Sequence, residues 1–270
     1  MDVRSPRVIT LLVCFTLAVT AVRGDAQSAR PTFPERPVLT LSPRTLPDRE
    51  ITSLLRTLDA LVEAPGSSGT WGTRAEAPLS EFVRQVQSAV LTDAQEARIL
   101  AHLDAMAGRH AADAAVINRS RTAVRLLRVG KQAPDIAAAD LDGRDLSLRQ
   151  YRGRVVLLMF SAEWCAICRT QEPYERFLLE QYKNWPFAIV SVESGESRES
   201  VKRVKSSAKL GYSSWWDPAL NDHAGPIATA WNVTGFPRTF LLDSKGVIRF
   251  VDVRDEDLLK GVRQLLNEVD

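Results

Sequence analysis

The feature that most constrains the fold is the stretch from Val155 to Pro173, in which an apolar run leads directly into two cysteines. Residues 155–160 (VVLLMF) are all apolar, which predicts one strand buried on both faces of a sheet. The motif Cys165-Ala166-Ile167-Cys168 then begins a segment that we expect to be helical to about Tyr182. A strand, a CxxC motif and a helix in this order are typical of a dithiol redox site.

The two cysteines have different predicted roles. Cys165 lies at the start of the predicted helix, where unpaired N–H groups and the helix dipole favour thiolate over thiol. Cys168 lies one turn further along, close enough to attack a mixed disulfide formed on Cys165. We therefore expect Cys165 to be the catalytic nucleophile and Cys168 the catalytic resolving thiol.

The cysteine count favours redox chemistry over metal binding. Besides the CxxC pair the chain has only Cys14, in an apolar N-terminal stretch. Structural zinc needs four ligands, and the sequence has no second CxxC motif. The histidines show no ligand spacing: His102, His110 and His223. We predict no metal site and no cofactor.

The charge and composition exclude a nucleic-acid-binding protein. The formal net charge is +2 over 270 residues, too small for an electrostatic footprint on nucleic acid. A run of basic residues from Arg119 to Lys131, which includes Arg128, is interpreted as a solvated helix face. The composition, 45% hydrophobic and 25% charged, is that of a soluble globular protein.

Residues 1–26 are predicted to be a signal peptide or an N-terminal anchor. Arg4 and Arg7 precede an apolar core at residues 8–22, which is short against the about 20 residues that a membrane-spanning helix needs. We expect an exported protein of the periplasm or cell envelope, which residues 8–22 would tether to a membrane if the signal is not cleaved. Disulfides persist in such a compartment.

Two further regions precede the redox motif. Residues 27–47 contain five prolines, which predicts an extended linker without regular structure. Residues 48–128, here called the helical module, carry amphipathic patterns for four helices. The predicted starts are an N-cap at Asp48, Ser80, a capping box at Thr92–Gln95, and about Ala111. The sequence assigns this module no role.

From Val129 the pattern changes to alternating strands and helices. Asp142-Gly143 predicts a tight turn, and residues 187–192 (FAIVSV) predict a second buried strand. A later hairpin is expected around residues 244–246, followed by a C-terminal helix. Residues 129–270 therefore predict an α/β domain with its site at a strand-to-helix turn.

Three segments of this region resemble the thioredoxin-fold superfamily: Val129–Asp135 (VGKQAPD), Trp164–Cys168 (WCAIC) and Gly235–Asp243 (GFPRTFLLD). The closest resemblance is to exported, membrane-tethered thiol–disulfide oxidoreductases and the redoxins of cytochrome c maturation. Roughly 70 residues separate Cys168 from Pro237. This spacing resembles the thioredoxin fold with an inserted strand–helix unit, here preceded by a small all-α region.

The resemblance also implies roles for single residues. Pro237 matches the family's cis-proline, and the backbone of Phe236 would then pair with a substrate strand. Trp164 is expected to be a hydrophobic platform for the substrate. The implied partners are exported proteins that carry disulfides or thiols, and a membrane thiol electron donor.

The chain departs from the family where an acid usually accepts the proton of the second cysteine. The two usual positions hold Met159 and Gln171, and we expect Glu163 to lie on the surface. The proton acceptor is therefore predicted to be missing or displaced. The dipeptide Ala166-Ile167 has no group that would stabilise a thiolate, and we expect a reductant or mild exchanger.

Three functions remain open from the sequence. The first is reduction or exchange of disulfides in exported proteins. The second is a thiol peroxidase, since the Gly-x-x-Ala-Pro-Asp pattern at residues 130–135 is shared with peroxiredoxins, although Ala162 stands where those enzymes need a Ser or Thr. The third is a copper-binding module that uses both thiols and His223.

Overall fold

The structure is a computed structural model that describes residues 41–64, 75–219 and 224–269. The predicted signal or anchor segment, Cys14, His223 and most of the predicted linker lie outside these ranges. Within them, no helix combines the length and the apolar character needed to cross a membrane.

The described chain begins with helices and continues with alternating strands and helices. The helices are α1 (Asp48–Glu63), α2 (Glu76–Gln87), α3 (Asp93–Arg109), α4 (Ala114–Leu126), α5 (Ala166–Arg169), α6 (Glu172–Gln181), α7 (Arg198–Ser207), α8 (Pro226–Ala230) and α9 (Asp255–Asn267). The strands are β1 (Arg44–Thr45), β2 (Ala89–Val90), β3 (Ala137–Ala139), β4 (Asp145–Ser147), β5 (Val155–Ala162), β6 (Phe187–Gly195), β7 (Ser214–Pro218), β8 (Arg238–Leu242) and β9 (Ile248–Val251). Short 3₁₀ turns occur at Ala111–Asp113 and Leu148–Tyr151.

A five-stranded mixed sheet in the order β7-β6-β5-β8-β9 organises the α/β part. Strand β5 is central: it pairs in parallel with β6 and antiparallel with β8. Its first six residues are all buried, which confirms the strand predicted from the apolar run. The predicted turn is also confirmed, since Gly143 has φ +82° between the antiparallel strands β3 and β4.

The arrangement is the predicted thioredoxin fold with an inserted strand–helix unit. Helix α9 packs on β5, and α6 packs on both β6 and α9. The insertion consists of α7 and the edge strand β7, which lie in the chain between β6 and β8. This unit widens the sheet beyond β6 and leaves the carboxyl end of β5 at its centre.

Helices α1 to α4 form the all-α region that was expected before the α/β part. Helix α4 packs on α2 and α3, and α1 packs on the same two helices. One hydrophobic cluster of buried side chains extends from these helices to strands β5, β6, β8 and β9. The domain boundary between residues 48–128 and 129–270 stays a prediction.

Polar contacts also connect the module to the α/β part. Arg128 was expected on a solvated face but is 4% exposed, and it is ion-paired with Glu96 of α3. Lys131 donates to the same carboxylate at 2.7 Å. The basic run is therefore partly structural, because a buried guanidinium needs a paired anion.

Three predictions for the N-terminal side differ from the structure in detail. Arg44–Thr45, inside the predicted unstructured linker, form a strand with Ala89–Val90, because the flanking prolines fall outside the paired residues. The N-cap of α1 is Pro47, and Asp48 is its first helical residue; the Asp48 carboxylate accepts a hydrogen bond from Gln95 instead. Helix α4 is preceded by a 3₁₀ turn over Ala111–Asp113.

Two prolines explain two further differences between the predicted and the observed helices. Helix α2 begins at Glu76 rather than at Ser80, because Pro78 lies in the first turn, where its missing N–H is not needed. The helix predicted from Cys165 to Tyr182 is interrupted between Arg169 and Glu172. Pro173 cannot donate to the carbonyl of Arg169 and its ring clashes with that carbonyl, which ends α5.

The capping box of α3 is confirmed. The backbone N–H of Gln95 donates to Thr92 Oγ1 at 3.2 Å, and Gln95 Oε1 accepts from the N–H of Thr92 at 3.0 Å. We expect Thr92→Ala to lower the free energy of unfolding by about 1 kcal/mol, measured by urea denaturation. Thr122→Ala, inside α4, removes a hydroxyl that bonds only its own helix, and it should cost less. Equal losses of unfolding free energy in both variants would contradict the role of Thr92 as the N-cap of α3.

Candidate active site

The two cysteines lie directly after the central strand. Cys165 is the N-cap of α5, and it forms a disulfide with Cys168 across a Cα–Cα distance of 5.3 Å. The backbone N–H of Cys168 donates to the sulfur of Cys165 at 3.0 Å. Helix α5 has only four residues, so this single N–H, rather than a long helix dipole, is the group that faces a Cys165 thiolate.

The two sulfurs differ in accessibility. Cys165 is half-buried at the strand-to-helix turn, whereas Cys168 is buried. The surface around Cys165 is apolar, since Trp164 and Ile167 are 44% and 60% exposed. An accessible sulfur within an apolar rim can be reached by a partner protein, and a buried second sulfur reacts only within the chain.

The fold brings the distant proline segment to the same end of the sheet. Strand β8 runs antiparallel to β5 with Arg238 opposite Phe160, so Pro237 is level with the carboxyl end of β5. The Phe236–Pro237 peptide bond is cis. The Phe236 ring contacts Trp164 edge-on, with ring centroids 6.3 Å apart. Trp164, Phe236 and Pro237 are thus placed together beside the disulfide.

A cavity of about 30 Å³ lies behind the disulfide. Both cysteines line it. Charged and polar side chains from three elements and one loop also line it, among them Glu172 and Glu175 of α6, Glu193 of β6, Lys205 of α7, and Tyr212 in the loop before β7. A space of this size is large enough to hold a water molecule. The cavity therefore connects the cysteines to ionisable groups inside the protein.

Glu175 is the carboxyl group whose protonation this environment changes most clearly. The Tyr212 hydroxyl donates to Glu175 Oε2 at 2.7 Å. Burial raises the pKa of the Glu175 carboxyl from about 4.5 to about 7, against the opposing effects of this hydrogen bond and of Lys205. Burial also raises the pKa of the Tyr212 hydroxyl well above its ordinary value. Glu175 is therefore close to half-protonated at neutral pH.

Lys205 and Glu193 are paired with each other, and Glu172 is paired with Arg176. Lys205 Nζ lies 3.4 Å from Glu193 Oε1 and 3.5 Å from the centroid of the Tyr212 ring. Burial lowers the pKa of Lys205, while the carboxylates of Glu193 and Glu175 act in the opposite direction. Lys205 and the Tyr212 hydrogen bond lower the pKa of Glu175, but burial of the carboxyl outweighs them, so Glu175 retains its proton to higher pH.

The two residues that depart from the family pattern, Met159 and Gln171, have structural surroundings of their own. Met159 is buried in β5. Gln171 exchanges hydrogen bonds with Asp255 at the start of α9. Glu163, predicted on the surface, is half-buried and accepts the N–H of Glu196 at 2.7 Å.

Glu175 was missed by reasoning from the sequence. Its position seven residues after Cys168 could have indicated it, since seven residues are close to two helical turns and fall on one face. The groups packed around it include Lys205 of α7 and Tyr212, which are remote in the sequence. Among the described residues, no group of three or more His, Cys, Asp or Glu side chains is arranged to hold a metal ion.

Comparisons with known proteins cover the α/β part of the chain. The sequence model of the AhpC/TSA family matches residues 129–251. The thioredoxin-like protein YneN of Bacillus subtilis (strain 168) is 35% identical over 127 residues, which are 47% of this chain and 72% of that protein. The thiol-disulfide oxidoreductase ResA of Geobacillus kaustophilus (strain HTA426) is 34% identical over 121 residues, 45% of this chain and 67% of that protein.

A solved structure is also similar. The thioredoxin domain of a thiol-disulfide oxidoreductase from Bacteroides vulgatus is 27% identical, with a TM-score of 0.47, and the match covers 52% of this chain and 99% of that domain. The helical module lies outside the residues that the family model matches. On the strength of the sequence matches and the fold, the chain belongs to the thioredoxin-fold redoxin family, and it is an oxidoreductase.

Proposed function

We propose that the chain is a thiol–disulfide oxidoreductase that reduces or exchanges disulfides in exported proteins through Cys165 and Cys168. One observation carries this proposal: an accessible Cys165 is joined to a buried Cys168 at the end of the central strand, with the Cys168 N–H donating to the Cys165 sulfur. This pair can hold or release two electrons by breaking and forming one disulfide.

The reaction begins from the reduced pair. The Cys165 thiolate attacks one sulfur of a substrate disulfide, which forms a mixed disulfide and releases the first substrate thiolate. The Cys168 thiolate then attacks the Cys165 sulfur, which forms the Cys165–Cys168 disulfide and releases the second substrate thiolate. Two electrons pass from the dithiol to the substrate, and a thiol donor, which we propose to be a membrane protein, reduces the pair again.

We propose Glu175 as the group that accepts the proton of Cys168 in the second step. A free cysteine has a pKa of about 8.5. Transfer to an ordinary glutamate would cost about 6 kcal/mol, and transfer to a carboxyl of pKa about 7 costs about 2 kcal/mol. Both groups line the cavity behind the disulfide, where a water molecule would link them.

Three structural features support a protein as the substrate. Trp164 and Ile167 are exposed apolar side chains beside Cys165, and Phe236 lies against Trp164. Trp164, Phe236 and Pro237 are the proposed substrate-binding residues. Export rests on the N-terminal sequence, so a periplasmic or cell-envelope location and a tether through residues 8–22 are part of the proposal.

The alternatives receive less support. The match to the AhpC/TSA family covers the opening that is shared with peroxiredoxins, but the relatives described above are named for thiol–disulfide chemistry or as thioredoxin-like. The Ser or Thr that a thiol peroxidase needs is replaced by Ala162. The copper-binding alternative depends on His223, which lies outside the described residues.

The reduction potential of the pair tests the proposal. We expect a reversible two-electron couple closer to about −270 mV, the value of thioredoxin, than to about −120 mV, the value of a strong oxidant of this fold. The measurement is a redox titration of the purified chain in dithiothreitol buffers, followed by thiol alkylation. A value near −120 mV would overturn the reductive direction, and the absence of a reversible disulfide would overturn the function.

A further inference from the structure

A second wall faces the proposed substrate-binding residues, and it belongs to the helical module. A cleft of about 720 Å³ lies between helix α2 and the segment before Pro237. Ala77, Ser80 and Glu81 line it on the α2 side, and Trp164, Thr234 and Phe236 line it on the other side. Its volume is within the usual range of ligand sites, about 300 to 1,000 Å³.

Specific polar contacts fix this wall to the proline segment. The Ser80 hydroxyl is hydrogen-bonded to the Thr234 hydroxyl, and the Gln87 side chain accepts from buried Arg238. The N–H of Val129 donates to the Gln87 carbonyl at 3.0 Å. Because Arg238 directly follows Pro237, α2 is held in register with the cis peptide bond.

The chemistry of the cleft favours an extended peptide over a small ion. Glu81 is paired with Arg84 at 2.7 Å and Glu76 with Arg119 at 3.2 Å, so these acidic groups are neutralised. Within the described residues, the backbone groups of Gly235 and Phe236 make no hydrogen bonds with other backbone groups. A peptide strand can pair with such free backbone and place its side chains against apolar rings.

We propose that α2 forms the second wall of the substrate site, and that an extended segment of the substrate protein, adjacent to its disulfide, binds between α2 and Gly235–Phe236. This inference rests on the proposed function. It gives the helical module a role in selecting protein substrates over small disulfides, since a small disulfide reaches Cys165 without filling the cleft.

The test compares a protein disulfide with a small one. Ala77→Trp places a large side chain in the cleft from an exposed position. We expect kcat/KM for insulin disulfides to fall at least about tenfold, which corresponds to the loss of one well-buried contact, while reduction of 5,5′-dithiobis(2-nitrobenzoate) is unchanged. Ala115→Trp is the matched control, because Ala115 is also exposed and is also the second residue of its helix, α4, but does not line the cleft.

Each outcome distinguishes this inference from the proposed function. If the wild-type chain reduces neither disulfide, the proposed function fails. If the wild type reduces both and Ala77→Trp reduces insulin normally, the cleft proposal is overturned. It is also overturned if Ala115→Trp loses insulin reduction equally, or if a folded Ala77→Trp loses both activities. Should Ala77→Trp not fold, Glu81→Trp, one turn further along the same wall, is subject to the same criteria.

Discussion

Replacing Cys165 with serine should lower disulfide reduction by about 10³-fold or more, because the other thiol of the pair, Cys168, is buried and out of reach of a substrate disulfide. Replacing Cys168 with serine should have a different result. The first attack still occurs at the accessible Cys165, but the intramolecular step that releases the substrate is lost. The Cys168→Ser chain should therefore accumulate a covalent adduct with the substrate protein.

The covalent adduct between the Cys168→Ser chain and the substrate protein can be detected directly. Insulin is incubated with each reduced variant, and the products are separated on a non-reducing gel and identified by mass spectrometry. Cys14→Ser serves as the control, because it removes the one cysteine outside the pair, and it should turn over as the wild type does. An adduct on Cys168 in the Cys165→Ser variant, or normal turnover of either variant, would contradict the assigned order of attack.

Replacing Glu175 with glutamine should change how the stability of the oxidised chain depends on pH. The pKa of the carboxyl is about 7 in the folded protein and about 4.5 in the unfolded chain, so the folded state binds the proton more tightly. The stability contributed by the protonated carboxyl is present below about pH 4.5 and is lost as the pH rises to about 7. Two and a half pKa units correspond to about 3 kcal/mol.

The quantity to compare is the free energy of unfolding of Glu175→Gln and of the wild type, each measured over a range of pH. Between pH 4.5 and 7, the free energy of unfolding of Glu175→Gln should rise by about 3 kcal/mol relative to that of the wild type, because glutamine has no proton to lose. Urea denaturation at several pH values measures it. Glu180→Gln, at an exposed position on the same helix, is the control and should follow the wild type above pH 5. A constant difference between Glu175→Gln and the wild type would contradict the raised pKa.

The same variant tests the proposed proton transfer. Loss of the acceptor should slow resolution of the mixed disulfide by about 10²-fold near neutral pH, the lower end of the usual effect of general base catalysis. The difference should diminish at pH 9, where Cys168 loses its proton to solvent. Stopped-flow mixing with a substrate disulfide separates the two steps, and the rate of the first attack should be unchanged. Equal slowing of both steps would indicate a structural effect.

Much of the fold could be predicted from local patterns. The run at residues 155–160 is uniformly apolar because β5 is buried on both faces, and the Thr92–Gln95 box follows from the unpaired N–H groups at a helix start. Local patterns failed where tertiary contacts compete with them. Asp48 has the chemistry of an N-cap, but its carboxylate accepts from Gln95 of another helix.

The strand, the CxxC motif and the likeness to thioredoxin-fold redoxins can be recognised from the amino-acid sequence, because they depend on residues that are neighbours in the chain. The relation of Glu175 and α2 to the cysteines becomes visible only in the folded chain. The pKa of Glu175 depends on desolvation by burial, on the hydrogen bond from Tyr212 and on charges from β6 and α7. The position of α2 depends on two hydrogen bonds between residues about 150 positions apart. Ser80 is bonded to Thr234, and Gln87 accepts from Arg238. Desolvation and long-range pairing arise from packing between elements, and no local pattern contains them.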